Sequence, residues 1–222
     1  MSIRVEVWGD YACFSRPEMK VERVSYDVMT PAAARGLIEA VYWHPGLRYV
    51  IDRIHVCAPI RFTSVRRNEV KSVIKGKVVQ SAMNRGSAEG LYLSAADEIQ
   101  QRAALLLRDV RYVIDAHFDL VPEKMHSDDN AGKFQDILRR RLEQGQFYHQ
   151  PYFGCREFPA NFRPCAGKPS CPETLRGERD LGYMLYDMDY SDRENIRPRF
   201  FRAKLRDGVL LVPPPDSGEV LE

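Results

Sequence analysis

Long hydrophobic runs are missing from this chain. No apolar stretch approaches the roughly eighteen residues that a bilayer-spanning helix needs. The opening "MSIRVEVWGD" holds no hydrophobic segment of the secretory kind. The sequence therefore reads as cytoplasmic, with no membrane partner. Cysteine is sparse and poorly organised: Cys13, Cys57, Cys155, Cys165 and Cys171 form an odd set with no CxxC pair. That argues against a disulfide framework or a standard zinc module and predicts reduced, structural thiols. The nearest metal alternative, Cys155, Cys165 and Cys171 with His149, matches no standard zinc spacing. No metal and no cofactor is expected.

An excess of one charge is also missing overall, since 33 Lys and Arg against 31 Asp and Glu leave +2. Locally the balance breaks down. Arg61, Arg66, Arg67, Lys71, Lys75, Lys77 and Arg85 are accompanied by a single acid, Glu69, and Arg197, Arg199, Arg202, Lys204 and Arg206 by none. Cations at this density, with Phe62, Phe200 and Phe201 among them, suit a phosphate backbone and stacked bases. A solvated surface is the competing reading. With 222 residues and 44% apolar content the chain can bury one large core or two small ones.

Periodicity organises the first two thirds. Ile3, Val5 and Val7 alternate with Arg4, Glu6 and Trp8, as in a half-buried strand. Thr30 and Pro31 form a helix start, a hydroxyl cap followed by proline. Ala34, Leu37, Ile38, Val41 and Tyr42 make one apolar stripe, and Pro45 and Gly46 stop the helix behind Tyr42, Trp43 and His44. A strand is expected over about 47–57, a polar mobile loop over 84–90, and a further strand at "RAALLLRD". The clearest strand is 112–120, with Tyr112, Ile114, Ala116, Phe118 and Leu120 on one face and Val113, Asp115, His117 and Asp119 on the other. A helix over about 130–143, with Phe134, Ile137, Leu138 and Leu142 inward, precedes a strand at "PYFGCREF". Strand, helix, strand, strand, helix, strand is the ferredoxin-like order, here with an insertion between the central strands. The fold class is thus α+β. The RRM shares this scaffold, but its aromatic signature is absent. The pattern divides the chain into a ferredoxin-like domain over 1–155, a small antiparallel β-rich region over 156–213 and a disordered tail over 214–222. Asp207 and Gly208 mark a hairpin in the β-rich region.

Cutting RNA without a metal requires a base for the 2′-OH, an acid for the leaving 5′-oxygen and donors for the phosphorane. Histidine titrates near neutrality without tuning. His126 and His149 lie in polar loop contexts and His55 lies mid-strand. His117 shares a face with Asp115 and Asp119, and His44 closes the first helix, where the helix dipole favours its charged form. On the residues alone, none of these stands out as catalytic. Asp115, His117 and Asp119 also form a set that could hold a divalent ion for a DNA nuclease.

The segments "VEVWGDYACFSRPEMK", "SYDVMTPAAARGLIEAVYWHP", "RYVIDRIHVCAPIRF", "RRNEV", "RYVIDAHFDL" and "GKFQDILRRRLEQGQFYHQPYFGCREF" together resemble the subtype I-C (Dvulg) Cas-five proteins of CRISPR systems, within the RAMP superfamily. The resemblance spans most of residues 1–160. It implies a RAMP-type ferredoxin-like domain and a metal-independent endoribonuclease. Such an enzyme cuts the repeat hairpin of precursor CRISPR RNA, leaves a 2′,3′-cyclic phosphate and stays on the 5′ handle with other Cascade subunits. It implies Tyr42 and His117 as catalytic, meeting where the first helix tip faces the central strand. The family's lysine is missing, because Asp115 and Ala116 precede His117, and His44 is expected to supply its cation or proton. Trp43, Arg61, Arg66, Arg67, Lys71, Lys75 and Arg85 are the expected RNA contacts. A non-catalytic subunit that binds the 5′ handle is the alternative.

Overall fold

The alternation at the N-terminus builds β1 (Ser2–Ala12), which buries Ile3, Val5 and Val7 and turns Arg4 outward. In the computed structural model, which describes residues 2–19, 21–192 and 194–221, β1 lies one strand in from an edge of a nine-stranded sheet. α1 (Pro31–Val41) starts as its sequence dictates: Thr30 Oγ1 accepts the Ala33 N–H at 3.3 Å, and Pro31 supplies a preset φ where no donor is needed. Its stripe of Ala34, Leu37, Ile38 and Val41 is buried. The helix stops at Val41, and Tyr42 is already extended at φ −149° and ψ 120°. Tyr42, Trp43 and His44 therefore form a tip beyond α1 rather than its last turn.

β2 (Leu47–Val56) leads to an insertion of β3 (Phe62–Val70) and α2 (Gly76–Arg85), followed by β4 (Ile99–Leu120). β3 pairs with the first part of β4, from Phe62 opposite Leu107 to Val70 opposite Ile99, making a two-stranded ribbon. α2 is absent from the sequence-based expectation although Val78, Val79, Ala82 and Met83 fall at helical spacing, and of this short stripe the structure buries only Ala82. The polar loop expected from residue 84 begins later, at Gly86, whose φ of 67° ends α2 in the left-handed conformation that glycine tolerates. The second part of β4 pairs with β1 on one side and β2 on the other. α3 (Ala131–Gln144), capped by Asn130 and ended by Gly145, buries Phe134, Leu138 and Leu142.

The last strand of the ferredoxin-like set is not "PYFGCREF". That segment carries an isolated bridge, Tyr152 to Pro159, around a turn in which Gly154 has φ 77°. A Cβ at residue 154 would overlap the Cys13 carbonyl. Phe153 is wholly buried against Phe14 and Tyr112, and its carbonyl accepts the Cys13 N–H at 3.0 Å. Packing this ring into the core bends the chain out of the sheet. The strand is β5 (Asn161–Pro164), paired to β1. The order β5-β1-β4-β2 is the ferredoxin-like order.

β6 (Glu178–Asp189), β7 (Arg197–Arg206) and β8 (Val209–Leu211) follow as expected. Asp207 and Gly208 both have positive φ, as a tight hairpin turn demands. β8 pairs with both β7 and β2, so one sheet runs across the 155/156 division. The tail expected to be disordered is instead held in part: β9 (Val220–Leu221) pairs with Phe200 and Phe201, and Arg199 Nη2 donates to the Pro215 carbonyl at 2.8 Å. Paired backbone and a buried-side guanidinium bond satisfy groups that composition alone could not assign. No helix among the described residues is long and apolar enough to cross a membrane.

Replacing Gly154 by alanine tests how the bend is held. Positive φ and the overlap with Cys13 should together cost about 3 kcal/mol or more, read as a lower denaturant midpoint. An unchanged midpoint contradicts this account of the segment.

Candidate active site

Strand alternation separates the residues expected to meet. On β4, Ala116 and Phe118 face the helices, with Phe118 against Tyr49 and Ala116 opposite Ile3. Tyr42 lies on that same side: Tyr49 Oη donates to the Tyr42 carbonyl at 2.9 Å, and the Tyr42 ring packs 6.4 Å from Phe134 of α3. His117, between Ala116 and Phe118, points to the opposite face. There its Nδ1 is 2.9 Å from Asp52 and it is 37% exposed. The sheet stands between Tyr42 and His117, so the meeting inferred from the resemblance does not occur. The carboxylates beside His117 are engaged elsewhere. Asp115 takes Arg4 Nε at 2.6 Å and His55 Nε2 at 3.0 Å, and Asp119 takes Arg48 at 2.9 Å. These side chains do not converge on a common metal position.

The tip beyond α1 meets other residues instead. Leu47 pairs with Leu120, so the residues before β2 and those after β4 must be neighbours. The Val121 N–H donates to the Gly46 carbonyl at 3.0 Å. A Cβ at Gly46 would press on Met125 and on the His44 ring, so glycine permits the close approach. His126 comes to lie with its ring 5.8 Å from that of His44, and His44 rests 4.8 Å from Phe134. Asp129 joins the group: its carboxylate accepts the His126 N–H at 2.8 Å and Lys133 Nζ at 2.9 Å, and faces His44 Nε2 at 3.5 Å. Arg141 closes the other side. Its Nη1 donates to the Val41 carbonyl at 2.7 Å, which satisfies an open carbonyl at the end of α1, and its guanidinium lies 5.2 Å over the Tyr42 ring.

The electrostatics divide the roles. Tyr42 is 8% exposed, and burial, reinforced by Asp129, pushes its phenol above the ordinary value against the pull of Arg141 and Lys133. Burial thus favours the neutral phenol. Asp129 is held below the usual carboxylate range, first by the His126 N–H and then by Lys133, and Lys133 is held charged by Asp128 and Asp129. His44 Nδ1 accepts the Gly46 N–H at 3.0 Å, so a neutral His44 carries its proton on Nε2, toward Asp129. His44, His126 and Asp129 each offer one potential metal ligand atom, all within 4.8 Å of one another. Either a cation on His44 Nε2 or a second proton on its ring would have to break the Gly46 bond. Two imidazoles, a neutral phenol and two cations can remove one proton, deliver another and balance negative charge. His126, Asp129, Lys133 and Arg141 were absent from the sequence-based set.

The expected RNA contacts are partly free and partly committed. Arg66, Lys71, Lys75, Lys77 and Arg85 are exposed on the ribbon and α2, and Trp43 is 58% exposed at the tip. Lys71 lies 3.8 Å from Glu98. Arg61 pairs with Asp109 at 3.6 Å, and Arg67 is tied to Glu157 beside Phe158. Three cations of the second basic cluster are paired across the hairpin: Arg202 binds Asp180, and Lys204 and Arg206 share Glu178.

A family model described as "CRISPR-associated protein (Cas_Cas5)" matches residues 2–213. Among curated relatives, "CRISPR pre-crRNA endoribonuclease Cas5d" of Mannheimia succiniciproducens is 49% identical over 222 residues, covering 98% of this chain and 97% of that protein. A solved structure titled "Crystal Structure of CRISPR-associated Protein" superposes with a TM-score of 0.70 at 20% identity, over 100% of this chain and 97% of that one. A chain of a "CRISPR RNA-guided surveillance complex" superposes with a TM-score of 0.51 at 13% identity, over 97% of this chain and 92% of that one. With a match this complete in length and this close in sequence, the chain belongs to the Cas_Cas5 family of CRISPR-associated proteins.

Proposed function

We propose that this chain is a metal-independent endoribonuclease that cuts precursor CRISPR RNA within its repeat, and that it cuts at the tip formed by Tyr42, His44 and His126. The activity is the one named for the Mannheimia relative. The observation that carries the placement is the convergence of two histidines and a neutral phenol around Asp129, on the helix face of the sheet. The exposed His126 ring takes the proton of the 2′-OH. The freed oxygen attacks the adjacent phosphorus, and the bond to the 5′-oxygen breaks. His44 protonates that leaving oxygen from its imidazolium form, which requires the Gly46 N–H to release Nδ1 so that both ring nitrogens carry protons. Tyr42 donates to a phosphate oxygen, with Lys133 and Arg141 opposing the charge. The products are a 2′,3′-cyclic phosphate and a 5′-hydroxyl. In this reading the ferredoxin-like unit, which β5 completes at Pro164, is the catalytic part, and the strands that follow extend its sheet.

The exposed cations of the ribbon and α2 hold the repeat hairpin and its flanks. The protein then stays on the 5′ handle beside other Cascade subunits, as the surveillance-complex likeness suggests. A second reading, a clamp on the 5′ handle that does not cut, is favoured by the near-complete burial of Tyr42.

Single-turnover cleavage of the genome's own repeat RNA in EDTA separates these readings. The wild type should cut at its full rate. His126→Ala and His44→Ala should each slow cleavage by about 10²- to 10⁴-fold, while His117→Ala stays near wild type. Loss of cleavage in His117→Ala with His126→Ala at full rate would move the site to the open face. A wild type that binds without cutting would establish the clamp.

The proton roles predict a further result. The rate should follow a bell-shaped pH profile, since one imidazole must be neutral and the other charged. Tyr42→Phe should lower the plateau without moving either limb, because the phenol stays protonated throughout that range. A limb that vanishes in Tyr42→Phe would make Tyr42 the base.

A further inference from the structure

Two large rings stand exposed where nothing in the fold requires them. Trp43 is 58% exposed one residue beyond the buried Tyr42, and Tyr148 is 79% exposed. They are distant in sequence but share an anchor. The Tyr148 N–H donates to the Ala40 carbonyl at 2.9 Å, and the His149 N–H reaches the same carbonyl at 3.3 Å. The loop after α3 thus caps the C-terminal end of α1, directly beside the tip that carries Trp43. Neither ring is part of the core, whereas the adjacent Tyr42 is buried on Phe134, and Phe147, itself 44% exposed, rests on Phe162. Exposed Arg139 and Arg140 flank this end of α3.

Solvent-facing rings next to cations are the composition of a single-strand stacking surface. Each base has a π-face that an aromatic side chain can cover, whatever its identity, while the cations follow the phosphates. We propose that Trp43 and Tyr148 form a stacking platform for the unpaired bases flanking the scissile phosphate. This rests on the placement of the cut at Tyr42, His44 and His126. It adds how the RNA is held there: stacking splays the nucleotide and aligns its 2′-oxygen with the phosphorus beside His126. Because the rings contact bases and not the reacting atoms, they are positioning residues, and they favour no particular base.

The test uses the full chain and repeat-derived RNA that carries a 2′-deoxy nucleotide at the cut, so that it cannot be cleaved, with 2-aminopurine placed on either side. Binding to the wild type should quench the fluorophore. Trp43→Ala and Tyr148→Ala should each relieve the quench and weaken affinity roughly ten-fold, with the loss persisting at high salt. Trp43→Phe and Tyr148→Phe, which keep a ring, should restore most of both. Melting temperatures should not change, since both side chains are exposed. His126→Ala should keep the quench, so a failure of the cleavage assignment is visible separately from a failure of the platform. Unaltered quench and affinity in both alanine variants would overturn the proposal. Equal loss in the alanine and phenylalanine variants would overturn it too, because a missing ring would not then be the cause.

Discussion

One carboxylate organises the tip on which this account depends. Asp129 is almost fully enclosed, with 2% of its side chain exposed, and it meets three elements at once. It takes the backbone of His126, the ammonium of Lys133 at the start of α3, and the edge of His44 beyond α1. These partners hold the carboxylate charged, and it in turn fixes each of them in place. The histidine rings then have fixed positions, and His44 has a fixed tautomer. The β2/β4 register brings this loop back to α1, and Asp129 then holds His126 against His44.

The second constraint is the two-residue period of β4. It sends Ala116 and Phe118 into the helix-covered core and His117 to the other side. The open face that results is dense in charge but self-neutralised. Arg4 and His55 meet Asp115, Arg111 and Arg163 meet Glu6, and Arg48 meets Asp119. A phosphate chain would have to compete with these internal acids. The exposed cations on β3 and α2 meet fewer of them, so the electrostatic footprint for RNA is concentrated on the inserted arm.

Much of the fold was legible because burial writes its period into sequence. β1, α1, α3 and the second part of β4 each pack one face on the core, and each carries the matching repeat. α2 has only a short stripe, Val78, Val79, Ala82 and Met83, between polar residues, and the bend at Gly154 follows from a close approach to Cys13 that no local window contains. The site was half legible. Tyr42 and His44 announce themselves beside a proline stop, and Trp43 stands exposed between them. His126 looked like a solvated loop residue because its meaning depends on register. A signal did exist: if β2 and β4 pair antiparallel, the residues just before one and just after the other must lie together. That places His44 against the loop of His126. His117 lies on the face opposite Tyr42, and a polar face on a strand is shared equally by sites and by ion-pair ladders.

The most direct measurement is a structure of this chain bound to uncleavable repeat RNA with a 2′-deoxy nucleotide at the cut. The account predicts the scissile phosphate on the helix face, within hydrogen-bond reach of the Tyr42 hydroxyl and the His126 ring. A phosphate seated across the sheet, beside His117 and Asp52, would contradict it.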